Sequence, residues 1–217
     1  MNKTKASRFP LTIPAQMADD LQVIRDRLFL ELEGKDDVAA GFASSVHGEG
    51  TTTVVLQLAL ANANDNRPTV VVDADPQMGL TKLLRMEGKT GFAELIAGAS
   101  LAEVIHQTGR EGLRIIPSGA PNGAQLSAVE WTRILTKVKQ STKIVFLDLP
   151  PILSSTAASR VSAASDGLVL VVAAHKTRRV VLKSAVEELK RHHGSKLLGT
   201  VLNGREYFIP NFLYKLI

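Results

Sequence analysis

The chain has 217 residues, 45% of them apolar, and a formal net charge of +5, which suits one α/β domain with a complete core. It has no cysteine, which excludes a disulfide scaffold and thiolate metal sites and fits a reducing compartment. The longest apolar run, Leu168 to Ala174, is far short of the ~20 residues of a membrane helix, so the expectation is a soluble, cytoplasmic protein without a transmembrane segment.

Residues 1–14 read as a flexible arm broken by Pro10 and Pro14, with no apolar stretch of the kind a secretion signal needs. Residues 15–217 read as a single domain. Over 15–33, Met17, Leu21, Ile24 and Leu28 recur at helical spacing, predicting an amphipathic helix that packs on its own domain. Beyond Gly34, strands are predicted at 38–44, 69–73, 113–117, 143–148, 167–173 and 197–202. Helices are predicted at 52–63, 80–86, 127–139, 157–164 and 178–192, with shorter helical turns at 91–97 and 101–106. Runs such as Leu168-Val-Leu-Val-Val172 lack polar alternation, which implies burial on both faces, as in a parallel sheet covered by helices. The order of elements predicts an α/β fold with a doubly wound, mainly parallel sheet and helices on both faces. Strand 38–44 is expected in its middle. The excess positive charge lies between His175 and Lys196. It reads as a solvated helix face, since Glu187 and Glu188 interrupt it and no Phe, Trp or Tyr lies within it to stack on bases.

The first strand runs into Ser44-Ser-Val-His-Gly-Glu-Gly-Thr-Thr-Thr53 and then into a helix. Gly48 and Gly50 allow a tight turn that aims successive N–H groups inward, and the helix that follows adds its positive dipole end. Strand, glycine loop and helix are the context of a phosphate-binding P-loop. A P-loop carries lysine directly after the last glycine, to reach the β- and γ-phosphates; here that residue is Thr51. The hydroxyl that would ligate magnesium survives as Thr52. Weak nucleotide binding and a purely structural turn both remain open for this loop. Two strands end in acids: Val70-Val-Val-Asp-Ala-Asp75 places Asp73 and Asp75 at i and i+2, and Ile144-Val-Phe-Leu-Asp148 ends in Asp148. Carboxylates at strand tips beside a glycine loop fit a magnesium–nucleotide site.

These pieces together resemble the bacterial tyrosine kinases that regulate capsule and exopolysaccharide export, within the wider group of septum-site and partition ATPases. His47-Gly-Glu-Gly-Thr-Thr-Thr53 resembles the family's Pro-Gly-Glu-Gly-Lys-Ser/Thr-Thr loop, and Val72-Asp-Ala-Asp75 its second acidic motif. Leu147-Asp-Leu-Pro-Pro151 resembles its Ile-Asp-Thr-Pro-Pro motif, and 165–172 with Leu198-Gly-Thr-Val-Leu-Asn203 its closing strands. The resemblance implies that Gly48, Glu49, Gly50, Thr51, Thr52 and Thr53 hold phosphates, that Asn203 meets the adenine base, and that Thr52, Asp73 and Asp148 surround magnesium. In an active kinase Asp73 and Asp75 would be the catalytic carboxylates. ATP or ADP with Mg2+ would be the cofactors, and Tyr207 and Tyr214, the only tyrosines in the chain, the phosphorylation positions.

The departures from that pattern run in one direction. Thr51 replaces the catalytic lysine, Val46 stands where the partition ATPases keep a second lysine, Gln77 and Met78 replace a basic pair, and Ala157 replaces an aspartate. Gln22, Arg25 and Leu28 stand where the family has Glu, Arg and Arg for ring assembly. Three functions therefore stand side by side. The first is a degenerate, weakly binding or non-catalytic subunit that docks on the cytoplasmic part of a membrane polysaccharide co-polymerase or adaptor, or on a related kinase. The second is an active autokinase whose lysine is relocated to Lys35 or Lys82. The third is a partition-type protein binding DNA or a membrane surface, with nucleic acid the weakest partner.

Overall fold

The computed structural model describes residues 11–120, 126–192 and 195–204. In chain order these form α1 (Ala18–Glu31), β1 (Val38–Ser44), α2 (Thr51–Asn64), β2 (Thr69–Asp73), α3 (Gly79–Leu83), α4 (Phe92–Ile96), α5 (Leu101–Val104), β3 (His106–Gln107), β4 (Leu113–Ile116), α6 (Ala128–Lys139), β5 (Ile144–Asp148), α7 (Ala157–Ala164), β6 (Gly167–Ala173), α8 (Arg179–Arg191) and β7 (Leu197–Asn203). The strands make one seven-stranded sheet in the order β3-β4-β2-β5-β1-β6-β7. Every pairing is parallel except β3 with β4.

The continuous apolar strands are buried on both faces, as their lack of alternation requires. Their side chains divide with period two. Phe42, Val71, Phe146, Val169 and Val171 face a core under α1 and α2, while Ala43, Val70, Val145, Leu147, Leu168 and Leu170 face a second core under α6, α7 and α8. Phe42 and Phe146 meet edge to face in the first, with centroids 5.0 Å apart. Gly41 leaves room for the chain just after β5, because a Cβ there would lie 2.8 Å from Leu149 Cδ1, and for α7, whose Val161 Cγ1 would lie at 3.4 Å.

Helix α2 has no polar stripe and is buried along most of its length, so it needs cover on its outer side as well. Helix α1 supplies that cover, burying Leu21 and Leu28 with Ile24 packed beside them. Arg25 turns inward too, donating to the Ala61 carbonyl at 3.3 Å and pairing with Asp65. Two of the three positions compared with ring-forming residues, Arg25 and Leu28, are thus occupied within the chain's own fold.

Two expectations need correction. Strand β1 lies between β5 and β6, and β5 is the central strand. The helical turn expected over 101–106 stops at Val104, because Ile105 is extended and His106–Gln107 pairs antiparallel with β4. That two-residue strand adds an edge beyond β4 and moves the sheet's centre from between β5 and β1 onto β5.

Candidate functional site

In this sheet the carboxyl ends of β1, β2, β5 and β6 lie together, which is where ligands sit in open α/β sheets. The loop from β1 to α2 turns through Gly48 and Gly50, both with left-handed φ, +81° and +90°. Gly50 is the N-cap of α2 and offers no side-chain cap. The first intrahelical bond runs from Val54 N–H to the Gly50 carbonyl, so the Thr51, Thr52 and Thr53 amides are left for a partner outside the helix.

Glu49 turns its side chain into the protein. Its Oε2 accepts the Ser45 and Val46 amides at 2.6 and 3.0 Å, and its Oε1 accepts the Ala173 amide at 3.4 Å and the Thr177 hydroxyl. The carboxylate therefore braces the loop against the turn that follows β6, and only its backbone is left to face a ligand. Asn203, at the end of β7, donates to the Glu49 carbonyl at 2.9 Å. A Cβ on Gly50 would sit 2.1 Å from Asn203 Nδ2. The structure thus brings Asn203 onto the backbone of the loop.

Thr51 is buried, and its Oγ1 has no hydrogen-bond partner among the described residues. Thr52 donates from Oγ1 to Asp148 Oδ2 at 2.7 Å. Gly79 keeps this corner open, since a Cβ there would lie 2.9 Å from Thr52 Oγ1. Thr53 is half-buried on the first turn of α2.

Asp73 and Asp148 are register partners on β2 and β5 and are both buried. Burial pushes the Asp73 carboxyl up to about 6, against two bonds from Thr81, whose amide and hydroxyl donate to Oδ2 at 2.7 and 2.6 Å. Burial, and then the neighbouring Asp73 charge, raise Asp148 well above the carboxylate range, while the Thr52 bond opposes them. Asp75 sits farther out; its amide donates to Asp73 Oδ1 at 3.3 Å and its Oδ1 accepts the Gln77 amide at 2.9 Å. Among the described residues no group of three histidines or carboxylates forms a ready-made metal cage. The donor set is a hydroxyl and one or two carboxylates, all hard oxygens. It fits an ion such as magnesium that shares its remaining positions with water and phosphate.

The two lysines proposed as replacements do not reach the loop. Lys35 pairs with Asp166, which also accepts the Ala39 amide at 2.7 Å. That is the amino end of β1, about 23 Å from the loop at ~3.3 Å per residue. Lys82 is exposed and donates to the Gln77 carbonyl at 2.8 Å, while Gln77 Nε2 lies 3.3 Å from His47 Nε2. A cation counted from the sequence only in the basic stripe is at the loop instead: Lys176 Nζ donates to the Gly48 carbonyl at 3.3 Å. Its position at the carboxyl tip of an interior strand was the available signal. Thr81 and Thr177, which hold Asp73 and Glu49, gave no signal, because their roles depend on tertiary contacts.

A cavity of about 890 Å³ opens beside the acids, lined among others by Asp73, Asp75, Ser154 and Arg160 and floored by Phe92 stacked on Trp131. On the basic helix α8, Lys183 and Arg191 pair with Glu187 and Glu188, as a solvated face would. Tyr207 and Tyr214 lie outside the described residues.

Known proteins place these features in context. The family model described as an AAA domain matches residues 42–180. The tyrosine-protein kinase CpsD of Streptococcus agalactiae is 30% identical over 183 residues, which cover 82% of this chain and 80% of that one. Among solved structures, the chimerical protein CapA2B2 superposes with a TM-score of 0.80 at 21% identity, covering 93% of each chain. The kinase domain of the Escherichia coli tyrosine kinase ETK gives 0.79 at 20% identity, covering 97% of this chain and 86% of that one. At these identities the two superpositions speak for the fold alone.

Proposed function

This chain belongs to the AAA domain family, among the bacterial tyrosine kinases, and from that premise we propose that it is a degenerate member that binds ADP or ATP weakly and has little or no kinase activity. Its role is that of a regulatory, binding subunit in capsule or exopolysaccharide biosynthesis and export. It docks at the inner face of the membrane on the cytoplasmic part of a polysaccharide co-polymerase or adaptor, or on a related kinase. The observation that carries this reading is Thr51: a buried hydroxyl, unpartnered among the described residues, stands where the fold needs an ammonium directed at the β- and γ-phosphates.

The rest of the pocket supports retained binding. The loop amides would take the phosphates, Thr52 and Asp148 would hold magnesium with Asp73 beside them, and magnesium would neutralise phosphate charge. Asn203, which holds the loop at the Glu49 carbonyl, would meet the base. What is missing is a lysine to stabilise charge in phosphoryl transfer. A charge-assisted bond is worth about 1.5–3 kcal/mol, so its loss alone weakens binding by roughly 10- to 150-fold. Titration calorimetry with ADP and magnesium tests the binding half of this reading. ATP turnover at the ordinary kinase rate of ~1–100 s⁻¹, with phosphate appearing on Tyr207 or Tyr214, overturns the catalytic half.

A further inference from the structure

The turn after β6 lies beside the phosphate loop because β6 is β1's neighbour, with Ala43 paired to Leu170 and Ser44 to Val171. It is also tied there. The Glu49 carboxylate takes the Ala173 amide and the Thr177 hydroxyl, and the Ala174 amide donates to the Asn203 carbonyl at 2.7 Å. The backbone of the turn closes on itself, with the Thr177 amide 3.1 Å from the Ala173 carbonyl. Lys176 is carried between these anchors. Its ammonium lies 3.3 Å from the Gly48 carbonyl, and also 3.3 Å from where a Cβ on Gly48 would be. No carboxylate of the described residues lies within ion-pair distance of it. An ammonium has three donors, and the one bond it makes among the described residues is long.

We infer that Lys176 supplies from the β6–α8 turn the positive charge that Thr51 no longer supplies from the loop, making the glycine loop a site for a phosphate chain held between two segments of the chain. The inference rests on the reading that the loop still binds nucleotide. It gives that site its specificity for anions. The charge comes from a separate segment, fixed by Glu49. It is therefore placed to attract phosphate in the ground state without lying along the first turn of α2, where the lost lysine would have followed the phosphates into the transition state. Binding is thus uncoupled from transfer.

The test uses the full chain and ADP with magnesium, read by calorimetry, with the ligand-free thermal midpoint as the check on folding. Lys176→Ala lowers ADP affinity at least tenfold and leaves the midpoint in place, Lys176→Arg keeps most of the affinity, and adding Thr51→Lys to Lys176→Ala restores it. An unchanged affinity in Lys176→Ala overturns the inference while leaving the weak-binding function intact. Absence of ADP binding by the wild-type chain also overturns it. Rapid ATP turnover that disappears in Lys176→Ala would sink both the degenerate-kinase reading and the separation of binding from transfer.

Discussion

The buried acid pair makes a prediction about stability. Asp73 ordinarily titrates near 3.8 and is raised to about 6 in the fold. Below about pH 3.8 it is protonated in both states, so it costs the fold nothing. Between the two values the folded chain keeps a proton that the unfolded chain has lost, so stability falls as pH rises through this window. At pH 7 the whole difference, 6 against 3.8, amounts to about 3 kcal/mol. The side chain is fully buried, so solvent screening does not dilute it. Lowering the pH from 7 to 5 should recover about 1 kcal/mol of this, and reaching pH 4 slightly more than ~2 kcal/mol. Asp73→Asn removes the titration but leaves an amide to satisfy, so its absolute stability at one pH is a poor test. The informative quantity is the difference between the two stability curves. Glu94, Glu103, Glu130 and Asp166, whose folded values are lowered, act in both proteins and cancel, while Asp148, raised in part by the Asp73 charge, loses that part in Asp73→Asn and adds to the difference in the same direction. Urea unfolding from pH 4 to 7 should show the wild type gaining on Asp73→Asn by about 2 kcal/mol on acidification. Parallel curves would refute the argument that burial of the Asp73 carboxylate at the tip of β2 outweighs its bonds from Thr81 and Asp75.

Other outcomes follow from single contacts. Thr51→Lys in the wild-type chain should raise ADP affinity at least tenfold by calorimetry; no change would mean either that Lys176 already supplies the whole of the missing charge or that His47, held on Gln77, closes the loop. Glu49→Ala leaves the Ser45 and Val46 amides without their acceptor. It should cost at least ~2 kcal/mol in urea unfolding and abolish ADP binding with it, and a stable variant that still binds would contradict the brace. Gly91→Ala puts a Cβ 2.0 Å from the Pro117 carbonyl oxygen and should destabilise the fold by about 1–3 kcal/mol, visible as a lowered melting midpoint; an unchanged midpoint would show that the α4 entry can move aside. Light scattering should show a monomer or dimer, since Leu28 and Arg25 are spent on the chain's own core; a stable octamer would contradict this.

The strands and the phosphate loop were legible because both are local. An apolar run such as 168–172 announces a strand buried on both faces, and Gly48 and Gly50 announce a turn only glycine makes easily. The lost lysine was equally legible, since Thr51 has a fixed place relative to Gly50. Sequence alone thus determined the fold class, the loop and the acids at the strand tips. Only the tertiary structure decided which groups face one another across strands. The sheet order sets β6 beside β1, and that adjacency brings Lys176 to Gly48 across 128 residues of chain and takes Lys35 to Asp166 at the far end. The two-residue β3 escaped notice because so short a segment has no periodicity and forms only when β4 is there to pair with it. Partners separated by long stretches of chain leave no spacing in the sequence, so which cation meets the loop was settled only when the sheet formed.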